Sequence, residues 1–330
     1  MVNYFVYKNK IIHHYMSSCI AVLTRGYNDI TKYSQLIKRN KHIEQHLNNK
    51  SMDIIIFHEG NIKENQQNHI KKQTPSLRII FVNILSHAFK QEKKTIPFDK
   101  DTKDFGLGYR HMCSFWFVDF WYFVKNYTYL LRIDEDCFMN SNIDNIFSRL
   151  KTNLFVAGKY DKDEAFVTKG MNDFTLDFIS KHNDYNFREK LSKSPGGPYT
   201  NVVGFSLNEI TKNNVFQEYI KQVDLSNMIY ERRWGDLPLW GEVIHYIFGS
   251  NTFLIDHNIK YYHGSHNNTV NPPNKKNPPN KKNVPINQIR MRQIKMRQIR
   301  MRQLRMRQIR MRQMRMRQIK MINLKKIIKF

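Results

Sequence analysis

Leu131-Arg132-Ile133-Asp134-Glu135-Asp136 is the segment of the chain best suited to chemistry. An apolar run ends there in alternate carboxylates. Residues two apart on an extended backbone point the same way, so Asp134 and Asp136 are expected to face one cation. Hard divalent metals such as Mn²⁺ or Mg²⁺ take oxygen ligands and can hold a diphosphate at the same time. Neutralising that diphosphate turns a nucleoside diphosphate into a workable leaving group. An isolated D-x-D is at least as often a solvated acidic turn, so context matters. Downstream, Ile229 to Pro238 is dense in charge and aromatics, and Tyr261-Tyr262-His263-Gly264 places an imidazole at an expected strand end, where it can join the carboxylates as a ligand.

The elements that must position these groups alternate between strand and helix. Cys19–Thr24, Asp53–Phe57 and Arg78–Val82 read as short buried strands. Between them lie a helix from an Asn28 or Asp29 cap to about His46 and a polar helix ending near Lys72. That order implies a mostly parallel sheet with helices on its faces, with ligands beyond the carboxyl ends of the strands. Residues 84–105 read as an irregular connection and Tyr109–Lys125 as one long helix crowded with aromatics, expected to pack in the core. Tyr129–Ile133 is a strand running into the acidic triplet, Leu154–Ala157 another, and Met171–His182 a helix. Ser194–Pro198 is a turn or mobile loop. Val202–Ser206 is a strand, Asn208 caps a helix from Glu209 to Val223, Gly235–Phe248 is a helix, and Ile259–Tyr262 is the last strand.

Charge divides the chain. The 330 residues carry a net charge of +26, yet residues 264–330 hold 20 of the 54 Lys+Arg and no Asp or Glu. The other 34 basic residues face 28 acidic ones, so residues 1–263 are only mildly basic, at +6. The tail repeats Asn-Pro-Pro-Asn-Lys-Lys and then Met-Arg-Gln-Ile-Arg. A period of five spreads apolar residues around a helix and breaks strand alternation, so disorder is expected. Its alternative role is electrostatic binding to nucleic acid or another polyanion, with the preceding domain inactive. The expected division is 1–17 N-terminal extension, 18–265 catalytic domain, 266–288 Pro/Asn/Lys linker and 289–330 repeat tail. Three cysteines argue against a disulfide framework, and no signal peptide or transmembrane segment is read, so a soluble cytoplasmic protein is expected. The Asn, Lys, Ile and Tyr bias fits an AT-rich genome, a viral one included.

Four ordered segments resemble the fungal Golgi α-1,2-mannosyltransferases, glycosyltransferase family 15. Tyr109-Arg110-His111-Met112-Cys113-Ser114-Phe115 is similar to that family's Tyr-Arg-x-Met-Cys-x-Phe, and Tyr127 to Asp136 to its Tyr-x-Tyr-x-Trp-Arg-Val-Glu-Pro-Asp. Tyr230 to Pro238 is similar to Tyr-Glu-Arg-Trp-Gly-Asp-Ala-Pro, and Tyr261-Tyr262-His263 to the closing Tyr-x-His. The likeness spans roughly residues 18–265. It implies a GT-A fold, Mn²⁺ (or Mg²⁺), GDP-mannose as donor, a glycan or glycoprotein acceptor, and retention of anomeric configuration. Carried over by position, Asp134 and Asp136 serve the metal and the diphosphate, and His263 completes the metal site. Tyr109 and Arg132 join the donor contacts, and Asp236 binds donor or acceptor hydroxyls. Glu209 is the carboxylate near the anomeric carbon. The chain departs from the family in reading Asp-Glu-Asp for Glu-Pro-Asp, and in an additional arginine, Arg232 or Arg233.

Overall fold

The computed structural model describes residues 17–182, 191 and 193–272; the expected N-terminal extension up to residue 16, most of the linker and the whole repeat tail lie outside the described residues. All that is described belongs to one compact unit. No helix in it is long and apolar enough to cross a membrane.

The first half alternates strand and helix: β1 (Ser18–Leu23), α1 (Ser34–His46), β2 (Asp53–His58), α2 (Glu64–Lys72), β3 (Arg78–Asn83), α3 (Leu107–Ser114), α4 (Trp121–Val124) and β4 (Tyr129–Ile133). Next come β5 (Cys137–Met139), α5 (Asp144–Leu150), β6 (Phe155–Ala157), β7 (Tyr160–Asp161), α6 (Met171–Ser180), β8 (Gly197–Pro198) and β9 (Val202–Ser206). The chain closes with α7 (Leu207–Thr211), α8 (Asn214–Ser226), α9 (Met228–Glu231), α10 (Asp236–Val243), β10 (Phe253–Ile255), β11 (Tyr261–His263) and β12 (Asn268–Val270).

Seven strands form the central sheet in the order β10-β6-β9-β4-β1-β2-β3. β9 alone is antiparallel to its neighbours, β4 and β6. Both faces are covered, which is why β1, β2 and β4 read as unbroken apolar runs. The period-two alternation appears instead in which core each residue enters. Ile20, Val22, Ile54, Ile56, Leu131 and Ile133 pack with Leu36 and Ile43 of α1 on one face. Cys19, Ala21, Ile55, Phe57 and Leu130 meet Phe115, Trp116, Phe117 and Phe120 on the other. Arg132, between Leu131 and Ile133, therefore points to the aromatic face. A second, antiparallel sheet in the order β12-β11-β5 carries the last strands.

Three expectations need correcting. The aromatic helix is two pieces joined by a π-type turn over Phe115–Asp119, and that wider turn carries Trp116 under the guanidinium of Arg132, 4.6 Å from the ring centroid. The helix expected over 209–223 breaks at Lys212–Asn213, where Asn213 rather than Asn208 caps α8 by accepting from Phe216 N–H at 2.9 Å. Ser194–Pro198 is anchored: Gly197–Pro198 pairs with Tyr160–Asp161. A Cβ at Gly197 would lie 2.4 Å from the Leu237 carbonyl, and one at Gly241 2.4 Å from the Gly196 carbonyl. Loop and α10 thus meet backbone to backbone, an approach only glycine allows.

Candidate active site

The carboxyl ends of β1, β2 and β4 open on one edge of the sheet, and the acidic triplet sits there. It is a turn rather than an extension of β4: Cys137 N–H closes on Asp134 C=O at 3.0 Å. The three carboxylates consequently point three ways. Asp134 is gripped by Arg132 through Nε at 2.7 Å and an Nη at 3.0 Å. Glu135 accepts from the Thr24 hydroxyl at 2.5 Å. Asp136 turns to His263, with Oδ2 3.3 Å from Nε2. Of the two carboxylates expected to share a cation, Asp136 lies against His263 and Asp134 against Arg132.

Beneath the turn lies Arg39 of α1, fully buried, its Nε donating to Ile133 C=O at 2.9 Å and an Nη to Ala21 C=O at 3.3 Å. It ties β1 and β4 together and places a positive charge near Asp134 and Glu135. Arg132 uses its remaining Nη on Asp236, the first residue of α10, at 2.5 Å. Arg132, Asp134 and Asp236 thus form one cluster, with three of the arginine's N–H groups on protein carboxylates. Arg132 positions those carboxylates. Burial by itself would lower the Arg132 pKa, but Asp134 and Asp236 outweigh it and hold the charge on.

His263 is buried and held from several sides. Its Nδ1 lies 3.0 Å from Tyr199 Oη. Around Nε2 stand Asp136 Oδ2 at 3.3 Å, Asn201 Nδ2 at 3.2 Å, Ser265 Oγ at 3.1 Å and His266 Nδ1 at 3.3 Å. The Asn201 amide nitrogen can only donate, whereas Asp136 Oδ2, Ser265 Oγ and His266 Nδ1 offer lone pairs beside the ring nitrogen. Among the described residues, Asp136, Cys137 and His263 form the His/Cys/Asp/Glu group whose ligand atoms all lie within 4.8 Å of one another. Oxygen and imidazole nitrogen donors fit Mn²⁺. Burial would raise the Asp136 pKa, but hydrogen bonds from His263 and Ser265 outweigh it and keep the group well below the usual carboxylate range.

Tyr109, in the first turn of α3, lines a cleft of about 410 Å³ with Leu23, Thr24, Arg25, Tyr27, Glu59, Met112 and Glu135. Its hydroxyl accepts from Arg233 at 2.5 Å, and the Arg233 guanidinium lies 4.6 Å from its ring centroid. Arg233 also pairs with Asp163 at 2.8 Å, leaves its buried Nε without a partner, and holds a left-handed φ of 62°. That is a costly conformation for a long side chain, of a kind concentrated at functional sites.

Glu209 is not in this group. β9 runs against β4, pairing Ser206 with Tyr129 and Val202 with Ile133, so the residues that follow β9 lie at the opposite edge of the sheet. Four residues of strand span about 13 Å, and Glu209 is further out still, mostly exposed and paired with Lys212 at 2.8 Å. The end of β9 that reaches the site is its beginning, where Asn201 C=O accepts from Asp134 N–H at 2.8 Å. Asn201, Tyr199, Cys137 and Arg233 escaped the sequence reading; only Arg233 left a signal, as the additional arginine.

No known sequence family and no curated protein matches the chain. Solved structures do. Core-mannan synthase A (CmsA/Ktr4) from Aspergillus fumigatus, in its Mn/GDP form, superposes with a TM-score of 0.61 at 15% identity, covering 82% of this chain and 79% of that one. The mannosyltransferase Ktr4p from S. cerevisiae gives 0.63 at 15% identity, covering 79% and 74%. Its complex with GDP gives 0.62 at 16%, with the same coverage. The fold is GT-A. At these identities the likeness is one of fold, and it agrees with the family resemblance carried by the four sequence motifs.

Proposed function

We propose that the chain is a metal-dependent, retaining glycosyltransferase that moves a hexose, mannose from GDP-mannose, onto a glycan or glycoprotein. The observation that carries this reading is the convergence of Asp136 and His263 at the mouth of the sheet, next to the cleft that Tyr27 and Tyr109 flank. The GDP bound by structures of the same fold supports the choice of nucleotide.

Asp136 and His263 would hold Mn²⁺, which when bound supplies positive charge to a departing diphosphate. The remaining work falls to the chain's own side chains. Tyr27 and Tyr109 offer aromatic surface to the nucleotide, and Arg25 and Arg233 offer cationic charge beside it. Asp236, pinned by Arg132 on one side, is the carboxylate left to stabilise positive charge developing at the anomeric carbon, since Glu209 lies at the far edge. A second hollow, of about 290 Å³, is lined by Lys162, Asp163, Thr168, Asn172, Lys193 and Ser194. Asp163 joins it to Arg233, and its hydroxyl, amide and charged groups suit a polyhydroxylated acceptor.

The deciding experiment is a donor screen of the full chain with Mn²⁺ against GDP- and UDP-sugars. GDP-mannose is expected to be hydrolysed or transferred fastest. Absence of turnover with every donor overturns the proposal.

A further inference from the structure

Glu135 is the residue of the acidic turn that enters the cleft flanked by Tyr27 and Tyr109. Asp134 and Asp136 leave the turn toward Arg132 and His263 instead. Glu135 is half-buried, and the Thr24 hydroxyl, just past β1, holds its Oε2 at 2.5 Å. Among the described residues, its other oxygen has neither a hydrogen bond nor an ion pair. Burial raises the Glu135 pKa, against the Thr24 hydrogen bond and the charges of Arg39 and Arg25. A carboxylate withdrawn from water with one oxygen unpaired gains from a hydroxyl that reaches it.

We infer that Glu135 reads the ribose of the donor nucleotide by accepting hydrogen bonds from its 2′- and 3′-hydroxyls. The inference rests on the nucleotide-sugar reading given above. A nucleoside diphosphate presents base, ribose and diphosphate in a fixed order. The chain offers aromatic faces at Tyr27 and Tyr109, then Glu135 in the same cleft, then Asp136 turned to His263. An ionised carboxylate only accepts, and a vicinal diol supplies two donors to it. Acidic side chains recognise ribose in the same way in dinucleotide-binding folds. Glu59, the other carboxylate lining the cleft, follows β2, and β1 lies between β2 and β4. Two strand spacings, about 9–10 Å, therefore separate it from the acidic turn and assign it to the base end. In the motif that Tyr127 to Asp136 resembles, position 135 is proline, which has no side-chain acceptor, so this contact belongs to the present chain.

The test measures the affinity of the full chain, with Mn²⁺ present, for GDP, 2′-deoxy-GDP, 3′-deoxy-GDP and UDP by calorimetry. The wild type is expected to bind each deoxynucleotide at least about tenfold more weakly than GDP, the loss that follows from removing one hydrogen bond to a charged group. In Glu135→Ala the affinities for GDP and its two deoxy forms should converge to within about twofold. UDP should lose affinity in that variant by the same factor as GDP, because the two share the ribose. A carboxylate that only braced Thr24 would lower all affinities alike and leave the ratios intact. Equal binding of GDP and its deoxy forms by the wild type overturns the inference, and that comparison needs no variant to fold. So does discrimination that survives in Glu135→Ala or is lost only in Glu59→Ala, or a loss in Glu135→Ala confined to GDP, which would set the carboxylate against the base. Sugar transfer assayed in parallel separates the two readings: transfer without discrimination at the ribose leaves the transferase standing, whereas a chain that binds no nucleoside diphosphate removes both.

Discussion

Arg132 and Asp236 form an ion pair almost closed to solvent, with side-chain exposures of 3% and 5%, and it ties β4 to the first turn of α10. Asp134 completes the cluster from the other side. Replacing the arginine by methionine leaves two carboxylates facing each other without a counter-charge. The expected cost is about 3–5 kcal/mol, read as a lower urea midpoint with an unchanged slope. A midpoint equal to the wild type's would mean the pair adds nothing to stability.

Asp136→Asn removes the carboxylate that faces His263 but keeps its shape. Mn²⁺ affinity in the presence of GDP should fall at least about tenfold and turnover at least about a hundredfold, while the far-ultraviolet circular dichroism stays as it was. Full activity in this variant would place the metal elsewhere.

Glu209→Gln distinguishes the structure from simple transfer of motif positions. A nucleophile or charge stabiliser lost in this way lowers kcat by several orders of magnitude. From the far edge of the sheet, the change should leave kcat within about twofold. A large drop in kcat with an intact fold would contradict the placement described here.

Gly241→Ala puts a methyl 2.4 Å from the Gly196 carbonyl oxygen, a backbone atom with no flexible end to give way. Destabilisation of about 1–3 kcal/mol is expected, with faster proteolysis at the Ser194–Pro198 loop. A thermal midpoint at or above that of the wild type would show that the loop and α10 are not held in contact.

Glu242, on α10, gives the pH signature. Burial pushes its pKa up to about 7, against hydrogen bonds from Ser194 at 2.6 Å and Asn172 at 3.3 Å. The unfolded chain releases this proton near its ordinary value of 4.5, so the folded state binds more proton between about 4.5 and 7. Stability from this group is therefore complete at low pH and declines as pH rises through that window. Glu242→Gln should flatten the decline, seen as urea midpoints at pH 5 and pH 7 that differ less than in the wild type. An unaltered difference would assign the dependence to other groups, such as Asp119, whose pKa burial also raises to about 7.

The fold was legible where one physical signal dominated. Tyr129–Ile133 and Val202–Ser206 have the bounds expected of them, because short apolar runs buried on both faces leave little choice. The direction of a strand has no such signature. Nothing in Val202–Ser206 says that it runs against its neighbours, and the displacement of Glu209 follows from that one unread sign. The acidic triplet shows the same limit on a smaller scale. Its composition announced carboxylate chemistry, but the hydrogen bond from Cys137 to Asp134 that bends it depends on β11 drawing Cys137 into a second sheet. Asn201 and Tyr199 reach His263 only through pairings far apart in sequence, which no local pattern encodes.

The reversed strand also has a practical side. Because β9 leaves the mouth and carries the chain to the rear of the sheet, the exposed residues Asn208, Glu209, Thr211 and Lys212 are natural attachment points. A fluorophore, affinity handle or surface linker fixed there sits behind the molecule, so the protein can be tethered or watched in single-molecule work with its open edge facing the solution.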